Sequence, residues 1–308
     1  MKYGIGKAHG KIILIGEHAV VYNHSAIAIP FFATTITSQV YQAPSTKIAS
    51  SLFTGELNDA PEELLPIVEL IKNMQKTLNC GNIWIEIESN IPASAGMGSS
   101  AATASAIVEA IYQYVGISLD HKTRFDWVQF SEMLAHGNPS GIDALTTTHD
   151  NAWLFSKVKK PEAFSSYLPA YLVVGTSNQK GNTKDSIQIV KDKMKEDSMK
   201  NAIDRIGSLV EITLAAYTAQ NVEEVGKCLS EAHGLLNLLG VSTISINQMV
   251  SIAIENGAVG AKLTGGGLGG CVIALTKTKQ EAMNIRNNWL DQFDAQTWML
   301  DLREGRYE

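Results

Sequence analysis

The sequence is poor in the residues that would staple or anchor a chain. Its 308 residues include three cysteines, Cys80, Cys228 and Cys271, odd in number, far apart and outside any CxxC or Cys/His ligand spacing. That pattern points to neither a disulfide framework nor a structural zinc site, and reduced core cysteines are expected. Long apolar runs are missing too. After Lys11 the run is only "IILI" before "GEH", too short for a signal peptide or a membrane span, so the cytoplasm is the expected location and no membrane partner is expected. Positive charge is scarce: 25 Lys and Arg against 31 Asp and Glu give a net charge of −6, which argues against nucleic acid as a partner. A small polyanion held by local cations stays compatible with that balance.

What is present suits a globular protein. With 45% hydrophobic residues, the chain can bury one large core or two ordinary ones, and its length favours two domains. Residues 11–42 are rich in Ile, Val, Thr and Tyr and read as strands. The spacing predicts a helix over "PEELLPIVELIKNMQKTLN" from near Pro61, with acidic residues in its first turn. The strand "IWIEIE" and a glycine-rich loop follow, and then a helix with Ala104, Ile107, Ile111 and Tyr114 on one buried face. Another helix, over "RFDWVQFSEMLAHG", delivers the turn "HGNPSGID". Two long helices are expected next, one running unbroken through "DSIQIVKDKMKEDSMKNAIDRIGSLVEITLAAYTAQ". A domain boundary is placed near Pro169, giving domains 1–168 and 169–308. The last third holds a glycine run feeding a strand from Cys271, then a helix and a closing strand.

The loop "IPASAGMGSSAA" stands where a strand hands over to a helix. Its serines can cap that helix, leaving backbone N–H groups free to face an anion such as phosphate. It holds no lysine, so it is not a GxxxxGK[ST] loop, and Gly96 and Gly98 taken alone are better explained by a tight connection between strand and helix. Residues 265–270 formally contain GxGxxG but precede a strand rather than open a helix, which speaks against a dinucleotide fingerprint. Lys11 in an apolar strand must reach water or meet an anion. Glu17 and His18 close that strand, where an exposed turn would account for both. For Glu132 an exposed helical carboxylate is the ordinary reading, and Asp143 serves as a turn residue as readily as a base.

Taken jointly and in order, "GKIILIGEHAVVYN", "PASAGMGSSAA", "EMLAHGNPSGID" and "KLTGGGLGG" resemble the motifs of the GHMP kinases, over most of the chain. One departure is His9, where that family commonly has proline. The resemblance implies an α+β, two-domain GHMP kinase fold: a ribosomal S5 domain 2-like N-terminal domain, a ferredoxin-like C-terminal domain, and an active site in the cleft between them. It also implies ATP and Mg²⁺ as cofactors. Within the family, "GEHAVV" favours mevalonate as the substrate over galactose or phosphomevalonate. By resemblance, the segment Pro92, Ala93, Ser94, Ala95, Gly96, Met97, Gly98, Ser99, Ser100 and Ala101 holds the ATP phosphates, and Ser100 and Glu132 hold Mg²⁺. Asp143 accepts the proton of the substrate alcohol, Lys11 pairs with Asp143, and Glu17 holds Lys11. His18 donates a hydrogen bond to the substrate's hydroxyl or carboxylate, and Thr183 and Thr264 join the substrate pocket. A homodimer is left open.

Overall fold

The chain opens with a glycine-dotted strand, β1 (Tyr3–Ile15), followed by a 3-10 turn at Ala19–Tyr22 and the long strand β2 (Ser25–Gln42). Next come β3 (Lys47–Ala49), β4 (Thr54–Glu56), α1 (Leu65–Leu78), β5 (Ile83–Ser89), α2 (Ser99–Val115), α3 (His121–His136) and α4 (Ile142–Thr147). After these lie β6 (Ala152–Ser156), β7 (Glu162–Phe164), β8 (Tyr171–Thr176), α5 (Thr183–Lys193), α6 (Asp197–Thr218), α7 (Val222–Leu238) and α8 (Ile244–Glu255). The chain closes with β9 (Gly260–Thr264), β10 (Cys271–Thr276), α9 (Lys279–Phe293), β11 (Thr297–Asp301) and β12 (Arg306–Tyr307). This computed structural model describes residues 3–92, 95–137, 139–165, 167–303 and 306–307.

The residues gather into two compact units. The first comprises Met1–Lys11, Pro30–Ile91 and Gly98–Asp150, and the second comprises Ile12–Ile29, Pro92–Met97 and Asn151–Glu308. The chain therefore changes unit within β1, within β2, after β5, just before α2 and between α4 and β6.

In the first unit, β2 pairs antiparallel with β5 from Ile36↔Ser89 to Gln42↔Ile83, and β5 pairs in parallel with β3. Residues Ile67, Val68, Leu70, Ile71 and Met74 form the buried stripe of α1, and they share a core with Val40, Ile85, Ile107 and Ile111. Helix α2 buries its expected face and also Ala101, Ala102, Ala106, Val108, Ala110 and Tyr112, so it is enclosed on nearly all sides. Small residues make that possible: a Cβ on Gly6 of β1 would lie 2.0 Å from the Ala106 carbonyl oxygen of α2.

In the second unit, the strand order β12-β11-β8-β10-β9 forms an antiparallel sheet. Val173, Ile206, Leu236, Met249, Leu263 and Trp289 are buried together in its core. The start of β2 pairs with β6, and β6 with β7.

Two helix boundaries differ from expectation. A 3-10 turn at Glu62–Leu64 precedes α1, which begins only at Leu65 because Pro66, lacking an N–H, belongs in a first turn. The long helix expected after residue 184 is two helices. Val190 and Met199 are both buried, yet nine helical residues turn the chain by about 180° from a shared face. Extended backbone at Glu196 (φ −95, ψ 131) resets the phase so that both side chains point inward.

Gly6→Ala is expected to lower stability by about 1–3 kcal/mol through overpacking of β1 against α2. An unchanged urea midpoint would contradict that contact.

Candidate active site

Lys11 sits in β1 where its residue is 3% exposed, a position that demands an anion. The anion is Asp143: Lys11 Nζ lies 2.9 Å from Asp143 Oδ1, with the aspartate side chain 35% exposed. Asp143 stands in the first turn of α4, not in a free loop. Against this pair lies Gly98, at φ 74, where an added Cβ would come within 2.9 Å of Lys11 Cγ and 3.3 Å of Thr147 Cγ2. Only glycine fits both the left-handed backbone and the closeness.

Gly98 is also the N-cap of α2, without a side-chain capping bond, so neither serine caps the helix as expected. The first intrahelical bond to Gly98 comes from Ala102 N at 2.9 Å. The N–H groups of Ser99, Ser100 and Ala101 are thus left without an intrahelical acceptor, and the first turn has no acidic side chain to repel an anion. Ser100 is exposed and Ala101 fully buried. Ala93 and Ser94 lie outside the described residues, as does Asn138 in the turn before Asp143.

Glu132, on the last turns of α3, is buried rather than exposed, at 2%. Its Oε2 lies 3.7 Å from His136 Nε2, while Oε1 is buried without a hydrogen-bond partner. Burial first, and then the negative charge of Asp143, push its pKa above the usual carboxylate value, with Ser100, His136 and Lys11 opposing. An orphaned, charge-starved carboxylate oxygen fits a hard cation. Mg²⁺ commonly takes only one or two carboxylates, completing its shell with phosphate oxygens and water. Among the described residues there is no cluster of three or more His, Cys, Asp or Glu that would bind a metal unaided.

The remaining candidates belong to the second unit. The Glu17 carboxylate is ion-paired with Lys262, the two side chains being 1% and 0% exposed. Sequence reasoning passed over Lys262, although a lysine inside the apolar strand "GAKLT" carries the same signal as Lys11. His18, buried at 6% and at φ 61, has Nε2 2.8 Å from Gly266 O. A carbonyl only accepts, so Nε2 carries the proton. Burial chiefly, aided by Lys262, lowers the pKa of this ring, which makes it neutral with Nδ1 an acceptor. The donor role expected of His18 is therefore already committed to Gly266.

Thr264 Oγ1 likewise donates to Ile13 O at 2.9 Å. Gly266 approaches Thr183 so closely that a Cβ would fall 2.7 Å from Thr183 Oγ1. The glycine turn between β9 and β10 has positive φ at Gly265, Gly267, Leu268, Gly269 and Gly270, and it packs on the start of the other glycine loop: a Cβ on Gly265 would be 3.1 Å from Gly96 Cα. Ala95 and Met97 are buried and Pro92 half-buried. Because this GxGxxG joins two antiparallel strands, it lacks the strand-to-helix setting of a dinucleotide site. His9 is a packed residue, its ring 4.4 Å from that of Phe32 and its Nδ1 2.8 Å from Gly10 O.

Comparison with known proteins identifies the family. Residues 66–150 match the family model for the GHMP kinases N terminal domain, and residues 213–295 match that for the GHMP kinases C terminal. Mevalonate kinase of Pyrococcus horikoshii is 31% identical over 305 residues, covering 91% of this chain and 90% of that protein. Mevalonate kinase of Thermococcus gammatolerans is 33% identical over 306 residues, covering 90% of each. The crystal structure of mevalonate kinase from methicillin-resistant Staphylococcus aureus MRSA252 aligns with a TM-score of 0.77 at 32% identity, covering 99% of this chain and all of that one. With both family segments in order and full-length relatives above 30% identity, the chain belongs to the GHMP kinase family.

Proposed function

We propose that this protein transfers the γ-phosphoryl group of ATP to the primary hydroxyl of mevalonate, giving 5-phosphomevalonate. One observation carries the reading: the Lys11–Asp143 pair at 2.9 Å, packed against the glycine that opens α2, in a chain about one-third identical to mevalonate kinases along its length. The amides at the start of α2 bind the phosphates, together with the preceding residues from Pro92 onward. Ser100 and Glu132 would hold Mg²⁺, which would supply positive charge for the nucleotide phosphates. Glu17, His18, Thr183 and Thr264 contact the substrate, with His18 as an acceptor of a hydroxyl proton. The reaction is assigned to the cytoplasm; among the described residues no helix is long and apolar enough to cross a membrane.

Asp143 receives the proton of the attacking alcohol. Prior removal of that proton would be uphill by about 16 kcal/mol, for an alcohol pKa near ~16 against an aspartate near ~4. Such a step is too costly to precede attack. Phosphoryl transfer passes through a loose transition state, so the proton leaves late, once the forming bond has acidified the oxygen. Asp143 then orients the hydroxyl and accepts its proton, while Lys11 supplies positive charge beside the attacking and transferred oxygens.

A coupled ADP-release assay should show turnover that requires mevalonate; ADP release indifferent to mevalonate would refute the substrate. Asp143→Asn should keep ATP binding and lose kcat by about 10²-fold or more, whereas normal turnover in the folded variant would remove Asp143 as base. Glu132→Gln tests the metal position through stability as well. A carboxyl whose folded pKa is raised loses stability as pH rises through that value, so the neutral variant should melt higher than wild type at pH 8, by about 2–4 °C per kcal/mol relieved. Near pH 4 the gain should vanish, and Mg·ATP-dependent turnover should fall. Equal gains at both pH values would contradict a buried, charged Glu132.

A further inference from the structure

Lys262 is a charged residue of the second unit for which the mechanism above has no task. Its ammonium meets the Glu17 carboxylate and also donates to Leu263 O at 2.6 Å, with both side chains almost wholly buried. A buried ion pair is often no more stable than an apolar pair of similar volume, so stability alone does not account for it. Its surroundings suggest another purpose. Three ties lace residues 13–18 to residues 262–266: Glu17 to Lys262, Thr264 Oγ1 to Ile13 O at 2.9 Å, and His18 Nε2 to Gly266 O at 2.8 Å. The nearby imidazoles add no second cation. His233 receives the Leu263 N–H on Nδ1 at 3.4 Å and donates from Nε2 to Asn247 Oδ1 at 3.1 Å, a fully used neutral ring whose pKa burial and Lys262 lower to about 4. Lys262 is thus the centre of a fixed polar block at the entrance to the glycine turn.

We propose that Lys262 is a positioning residue for phosphoryl transfer: it fixes the Glu17 carboxylate and, through Leu263 O, the first residues of the glycine turn, so that Glu17 and His18 meet the acceptor in one orientation. This rests on the functional reading above, in which Glu17 and His18 contact mevalonate. The two residues act as one unit, and their effects on substrate use are therefore not additive.

A double-mutant cycle on the full-length protein tests this, with KM for mevalonate and for ATP measured separately. Lys262→Met and Glu17→Gln should each raise KM for mevalonate by about tenfold, leave KM for ATP within about twofold, and together raise it no further than either alone. Lys262→Met should also lower Tm by more than about 5 °C, and the double variant should recover most of that loss. Should Lys262→Met fail to fold, Lys262→Arg keeps the charge but not the shape of the ammonium. Positioning predicts a several-fold rise in mevalonate KM for that variant, and simple charge compensation predicts none. Unchanged mevalonate KM in a folded Lys262 variant, or multiplying effects in the double variant, would overturn the proposal. Wild-type protein without mevalonate-dependent ADP release would overturn the functional reading as well, which separates the two failures.

Discussion

An ammonium group cannot sit inside an apolar strand without an anion, and Lys11 meets that requirement with a carboxylate 132 residues further along the chain, counting from 11 to 143. The pairing fixes the register of β1 against α4, and α2 must then begin with a residue that has no side chain at Gly98. The uncapped amides at the start of α2 and the Asp143 carboxylate thereby lie around the same cation. The glycine loop holds no lysine of its own, and the one that lies against Gly98 comes from a different strand.

The second unit solves the same problem with a different outcome. Lys262 and Glu17 also join distant positions, but their side chains are 0% and 1% exposed, whereas Asp143 is 35% exposed beside Lys11. Exposure distinguishes the two pairs. A carboxylate partly open to solvent is free to exchange a proton, while a buried ion pair is suited to holding a group in one orientation. His18 and His233 reinforce this contrast, since each ring already has its proton committed to a protein acceptor.

Much of this was legible in the sequence because the motifs fall on strong local signals. The glycine loop stands between an alternating strand and a periodic helix, and Gly137 ends α3 at positive φ 71 as its position suggested. Lys11, Ser100, Glu132 and Asp143 were singled out and do fall within one unit. What failed were choices between neighbours that only tertiary packing makes. Serine is the usual cap, yet Gly98 takes that place because the Lys11 stem leaves no room for a Cβ. The run after residue 184 is uniformly helix-forming, and only the burial of Met199 opposite to Val190 requires a break. Glu17 has two lysines within reach of argument, and nothing local to "GEHAVV" says that the partner lies 245 residues away. The direction of a histidine's hydrogen bond depends on an acceptor, Gly266, that is equally remote.

The donors left without an intrahelical acceptor at the head of α2 are peptide amides, and that has an evolutionary corollary. Truncating a side chain removes nothing from such a surface, because every residue type except proline brings the same donor. Damage at Gly98 must come from atoms gained, as a methyl group pressing on the lysine stem would show. Inherited variation at Gly98 should consequently be intolerant of bulk whatever its polarity, the reverse of what is expected where charged side chains do the gripping.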